Sequence, residues 1–220
     1  TNTQSKCVNT AITNITYSVT GGGTGAGVTG LPTGVTGSFA GGVFTISGTP
    51  SVTGTFNYTV TTTGTCTQAT ATGSITVTPN AAISLTSAVG TNTQSKCVNA
   101  AITNITYSVT GGGTGAGVTG LPTGVTGSFA GGVFTISGTP SVTGTFNYTV
   151  TTIGTCTQAT QTGTITVNAL PTVAATTGAT SVCVGLTTTY SNTTAGGVWS
   201  SSATGIATVN ASGVVTGVSA

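Results

Sequence analysis

The sequence predicts an all-β chain, built of β-sandwich domains in a linear array, on three observations. These are a long internal repeat, a two-residue apolar alternation punctuated by Gly and Pro, and a near-absence of charge. Thr1–Val77 returns as Thr91–Val167, a period of 90 residues with four differences, Thr10/Ala100, Thr63/Ile153, Ala71/Gln161 and Ser74/Thr164. That period is too long for a solenoid turn or a propeller blade. It suits one complete sandwich per repeat.

The alternation places the strands. Phe56, Tyr58 and Val60 alternate with Asn57, Thr59 and Thr61, the signature of a half-buried strand. Ile75 and Val77 flank Thr76 in the same way, and Tyr17 and Val19 flank Ser18. Threonine is abundant; its branched Cβ favours the pleated sheet, and its hydroxyl keeps an outward face wet without charge. Gly21-Gly22-Gly23, Leu31-Pro32-Thr33-Gly34, Gly41-Gly42, Gly48-Thr49-Pro50 and Gly64 mark the turns. Strands are expected at 11–19, 26–29, 35–39, 43–47, 54–62 and 69–78, and 90 residues further on. No window carries a helical apolar stripe, so no helix is expected.

Ile83 and Leu85 alternate with Ser84 and Thr86, which makes this stretch the expected first strand of the second domain. The domains are then 1–78, lacking its first strand, and 79–168, complete. After Leu170-Pro171 the repeat stops, and 169–220 is a different, truncated module holding the single tryptophan, Trp199. Both ends are expected to be cuts through domains of a longer chain.

The composition excludes most chemistry. The 220 residues include no Asp, Glu, His or Met, and only two basic residues, Lys6 and Lys96. No carboxylate pair, no Ser-His-Asp set and no calcium or histidine-containing zinc site can be assembled. The expectation is therefore a non-enzyme with no cofactor and no metal. A net charge of +2 is no phosphate-binding footprint, so no nucleic acid is expected. No apolar run approaches the roughly 20 residues of a membrane-spanning helix. Repulsion between copies is slight, which favours self-association into fibres.

Five cysteines stand at positions 7, 66, 97, 156 and 183. Cys7 and Cys66 match Cys97 and Cys156, with 59 residues between the members of each pair. Either one bridge closes each repeat, or the thiols are buried and free. A cysteine pair per repeat among Thr/Gly loops favours the bridges and an oxidising compartment. Cys183 has no partner in this segment and is expected to find one further along the chain.

Some motifs tempt and fail. Gly25-Ala26-Gly27-Val28-Thr29-Gly30 fits the dinucleotide fingerprint, but Pro32 follows and no acidic residue exists. Asn14-Ile15-Thr16, Asn57-Tyr58-Thr59 and Asn192-Thr193-Thr194 fit the glycosylation sequon in a Thr-rich composition that produces it by chance. Lys6 and Lys96 lack the carboxylic acid that a Lys–Asn isopeptide bond uses.

The segment Leu31-Pro32-Thr33-Gly34-Val35, then Gly42-Val43-Phe44-Thr45-Ile46-Ser47-Gly48-Thr49-Pro50, then Gly54-Thr55-Phe56-Asn57-Tyr58-Thr59-Val60 resembles the putative-Ig repeats of bacterial surface proteins. With the Cys-Val-Asn opening it is similar to the tandem Ig-like or PKD-like repeats of giant secreted Bacteroidota proteins, gliding-type adhesins included. Val198-Trp199-Ser200-Ser201-Ser202, Ile206-Ala207-Thr208-Val209-Asn210 and Gly213-Val214-Val215-Thr216-Gly217 resemble a bacterial Ig-like group 2 module. The resemblance implies tandem Ig-like sandwiches that contact their neighbours in the same chain, secreted to the extracellular cell surface. The function it implies is a stalk or filament segment spacing a distal binding region from the cell. The alternative is direct binding of surface polysaccharide or another ligand by these domains. The absence of acids departs from the calcium-rigidified relatives.

Overall fold

A computed structural model describes residues Asn2–Ala220, and among them it contains strands, turns and bends but no helix. The chain divides into two compact units, Thr1–Asn168 and Ala169–Ala220. The first unit holds both repeats.

In the first repeat the strands are β1 (Thr3–Cys7), β2 (Ile15–Ser18), β3 (Gly25–Thr29), β4 (Val35–Ala40), β5 (Val43–Gly48), β6 (Gly54–Thr63) and β7 (Thr70–Thr78). They form two sheets, ordered β1-β7-β6-β3 and β2-β5-β4. The second repeat contains β8 (Ala81–Leu85), β9 (Thr93–Cys97), β10 (Ile105–Gly111), β11 (Gly113–Thr119), β12 (Val125–Ala130), β13 (Val133–Gly138), β14 (Gly144–Gly154) and β15 (Thr160–Asn168). Its sheets are ordered β8-β10-β13-β12 and β9-β15-β14-β11. This is an all-β sandwich fold.

The alternating residues meet between the sheets. Ile15, Phe44, Ile46, Tyr58, Val60, Ile75 and Val77 form one core, and their counterparts in the second repeat form another. Two differences from the expected strands stand out. The strand expected at 11–19 is regular only over Ile15–Ser18, because the backbone before it bonds elsewhere: Ile12 N donates to Gly48 O and Thr13 N to Gln4 Oε1. The second difference is β1 and β9, whose sequence Thr-Gln-Ser-Lys-Cys carries no apolar alternation to mark a strand. They run parallel to β7 and β15, the last strand of each repeat.

β8 pairs antiparallel with β10 inside its own repeat, with Ile83 opposite Val109. That pairing argues against donation of this strand to a neighbouring chain. It also changes what β10 can bury. Tyr107 and Val109 are enclosed, whereas Tyr17 and Val19, beside no such strand, remain half-buried.

Each core ends in a tyrosine pair. The Tyr107 and Tyr148 hydroxyls lie 3.0 Å apart, and Tyr148 donates onward to Asn92 O at 3.2 Å, so Tyr107 donates to Tyr148. Tyr58 makes the same bond to Asn2 O at 2.8 Å and contacts the Tyr17 hydroxyl at 3.0 Å. Gly163 leaves room for this chain of bonds, since a Cβ there would lie 2.3 Å from the Tyr148 hydroxyl. Burial pushes the Tyr148 and Tyr58 phenols above their usual range, and each hydrogen-bonded tyrosine partner adds to the effect. Burial raises Tyr107 too, against its bond to Tyr148. Tyr148→Phe should cost about 1–3 kcal/mol, because it strands the Tyr107 hydroxyl without its acceptor. Thermal melting would register the loss, and an unchanged Tm would contradict it.

The second unit is built differently. β16 (Thr187–Thr189), β17 (Ala207–Val209) and β18 (Val214–Gly217) form a three-stranded sheet in the order β16-β18-β17. Every fully enclosed apolar side chain among the described residues belongs to the first unit. Here Leu186, Val198 and Ile206 are exposed.

Candidate functional site

The junction between the repeats carries the chemistry that the fold assembles. β1 ends at Cys7, directly opposite Thr78, where the chain leaves the first repeat. Val8 N then donates to Thr78 O at 2.9 Å and Thr10 N closes a turn onto Cys7 O at 3.1 Å. That turn needs a positive φ at its third residue. Among the described residues, Asn9, at 61°, and its equivalent Asn99, at 62°, are the two non-glycine residues with a positive φ, as suits a residue type that tolerates the left-handed region. The Gln4 side chain pins the outgoing loop, donating to Thr13 O and accepting from Thr13 N. Cys7 is thus fixed at the end of the sandwich facing the second repeat.

The other half is the hairpin between β14 and β15. Gln158 folds back under it, its Nε2 donating to Gly154 O and to Cys156 O. Its Oε1 accepts from Thr152 Oγ1 at 2.8 Å, and Thr152 is the one fully buried polar side chain among the described residues. This brace holds Cys156 at the tip.

A two-residue linker, Pro79-Asn80, connects β7 to β8, and the second repeat closes around it. Gly112 N donates to Asn80 O at 3.1 Å, and Ala81 N donates to Thr157 O at 3.0 Å. Gly112 is packed so closely that a Cβ would lie 2.2 Å from Pro79 O. Asn80 Oδ1 is buried there without a hydrogen-bond partner.

This geometry brings Cys7 to Cys156. They form a disulfide with Cα atoms 5.5 Å apart, across 149 residues of sequence. The expectation of one bridge inside each repeat, Cys7–Cys66 and Cys97–Cys156, is therefore corrected. Cys66 and Cys97 are free and exposed, and so is Cys183. The reason is distance. Cys7 stands beside Thr78 and the Cys66 hairpin precedes Thr70, at opposite ends of β7. Eight strand steps separate those ends by roughly 27 Å, while a bridge needs Cα atoms within about 7 Å. Only a neighbouring repeat can meet Cys7.

The other candidates have ordinary surroundings. Gly25–Thr29, within the dinucleotide-like motif, is β3, and Leu31-Pro32-Thr33-Gly34 turns directly into β4. Among the described residues no three metal-ligating side chains gather. Trp199 lines an open cleft with Pro171, Val173, Asn192 and Thr194. The Asn192 amide is committed there, donating to Ala174 O and accepting from Thr194 N.

No protein-family model and no curated protein matches the sequence. Solved structures do match. The I-band fragment I67–I69 from titin is similar with a TM-score of 0.60 at 10% identity, over 87% of this chain and 73% of that one. An E-to-A variant of the same three titin domains gives 0.57 at 10% identity, over 86% and 72%. The repeats are immunoglobulin-like. In the lettering of that fold, β8-β10-β13-β12 takes the A-B-E-D places, and β11, β14 and β15 take C, F and G. At 10% identity the likeness of these immunoglobulin-like repeats to titin is one of fold alone.

Proposed function

We propose that the chain is a segment of a structural stalk or filament in a large secreted bacterial surface adhesin, spacing a distal binding region from the cell. One observation carries the reading: two nearly identical immunoglobulin-like repeats are joined by a two-residue linker and clasped by a disulfide across the joint. Linked domains move relative to one another unless their interface is extensive. A short linker and a covalent second connection remove most of that freedom, which is what a spacer requires. A disulfide of this kind persists in oxidising surroundings, in keeping with an extracellular location. The lack of Asp, Glu and His leaves no conventional acid–base machinery, in keeping with a non-enzymatic role.

Direct ligand binding is the alternative, and Trp199 is the aromatic that would serve a sugar. Its polar neighbour Asn192 already spends its amide within the fold.

The spacer reading is tested by distance measurements. Spin labels attached without cysteine chemistry at Ser38 and Ser128, both exposed, report the two repeats. Double electron–electron resonance should give one narrow distance that broadens on reduction. A broad distribution with the disulfide intact would contradict the reading.

A further inference from the structure

Three places in the chain share one turn. In Cys7-Val8-Asn9-Thr10 the third residue has a φ of 61° and Thr10 N donates to Cys7 O at 3.1 Å. Cys97-Val98-Asn99-Ala100 repeats this with 62° and 3.1 Å. Cys183-Val184-Gly185-Leu186 repeats it again in the second unit, with 77° and 3.0 Å. Each turn also lies beside the last strand of its own module. Val8 N donates to Thr78 O, Val98 N to Asn168 O, and Val184 bridges in parallel to Gly217.

Two places share the hairpin. Gly64-Thr65-Cys66-Thr67-Gln68 has the sequence of Gly154-Thr155-Cys156-Thr157-Gln158. Gln68 braces its hairpin as Gln158 does, donating to Gly64 O and Cys66 O and accepting from Thr62 Oγ1. This half is therefore built before any partner is present. One turn and one hairpin are joined, as Cys7–Cys156. Left over are the turn cysteines Cys97 and Cys183 and the hairpin cysteine Cys66, all three exposed.

We propose that these three thiols are open halves of the same clasp, and that their partner is a second copy of this chain, a turn cysteine of one copy meeting Cys66 of the other. The contact pairs two different surfaces, so two copies joined by one bridge still hold a free Cys66 and free turn cysteines, to which further copies add. With a net charge of only +2, copies approach with little repulsion. The bond forms by exchange with a disulfide donor such as oxidised glutathione. A thiolate of one copy attacks the donor and releases one reduced glutathione. The thiolate of the other copy then attacks the mixed disulfide at the protein sulfur and releases the second, so two thiols and one donor give one bridge and two reduced glutathiones.

The inference extends the stalk reading, and the two fail separately. Label distances report the joint inside one chain, and cross-links report the joint between chains. The test incubates the full 220-residue chain, its Cys7–Cys156 bridge closed, in a glutathione redox buffer. Species are then resolved without reduction, and the linked peptides are identified by mass. A ladder joined through Cys66 to Cys97 or Cys183 is expected. Cys66→Ser should abolish that ladder although two exposed cysteines remain, and retention of the Cys7–Cys156 peptide would verify that the variant is folded. Chains that stay monomeric with three free thiols would overturn the proposal. So would links dominated by Cys66–Cys66 or by pairs of turn cysteines, or a ladder that survives in Cys66→Ser.

Discussion

Pulled from its two termini with Cys7–Cys156 closed, the chain should withhold roughly 500 Å of contour length from the load. The 149 steps between the bridged residues, at 3.3–3.6 Å each, set that length. Force entering through β1 reaches Cys7, crosses the sulfurs to Cys156, and continues along β15 toward the second unit. The first core lies wholly within the bypassed loop, and the second does so apart from Ile165 and Val167 on β15, so the chain between the two sulfurs cannot be drawn out. On reduction the load path runs through each repeat in turn. β1 is parallel to β7, so the two ends of the first repeat pull this pair in shear across five residue pairs. Force spectroscopy should then show two large unfolding steps that are absent from the oxidised chain. Cys7→Ser should behave like the reduced protein without any reductant. Identical extensions in both states would contradict the load path. At equilibrium the same bridge should stabilise the unit by about 5 kcal/mol in the chain-entropy description of a loop this long.

The second large effect concerns pH. Acid unfolding is mostly the protonation of native carboxylates and the charging of buried histidines. This chain has no Asp, Glu or His, so its Tm should hold nearly constant from pH 9 down to pH 2. The loss should come on the alkaline side. Tyr58, Tyr107 and Tyr148 have phenols raised by burial, while an unfolded tyrosine ionises near 10. Below that value both states keep the proton and the pH has no leverage. Above it the unfolded chain loses the proton and the fold retains it, so stability falls by about 1.4 kcal/mol per pH unit for each such tyrosine. Calorimetry across the range should show a plateau followed by a steep alkaline decline. A conventional acid transition near pH 4 would refute this.

Much of the fold could be read from the residues, because its strands advertise themselves. Phe56-Asn57-Tyr58-Thr59-Val60 alternates, and the structure buries Tyr58 and Val60 as that pattern requires. Thr3-Gln4-Ser5-Lys6-Cys7 does not alternate in hydrophobicity, and β1 is defined by a partner more than 60 residues away. Local pattern has no access to that pairing. The disulfide was hidden for a related reason. Cys66 and Cys156 are the same residue in two copies of one repeat, so spacing treats them as equivalent partners for Cys7. The choice depends on which end of β7 each cysteine occupies, and that follows from the parallel placement of β1. The turn shared by Cys7, Cys97 and Cys183 did leave a trace in the sequence. Each cysteine is followed by Val and then by Asn or Gly, the residue types that accept a positive φ.

The clasp between the repeats can be tested with a single digestion. Trypsin cuts after Lys6 and Lys96 alone, which separates Cys7 and Cys66 from Cys97, Cys156 and Cys183. The chain is first unfolded with its free thiols blocked, then cleaved without reduction. Cys7–Lys96 and Cys97–Ala220 should remain one covalent species, and chymotryptic trimming should reduce the link to peptides carrying Cys7 and Cys156. Two separate fragments, each closed by its own bridge, would show that the repeats are stapled singly and that the clasp does not exist.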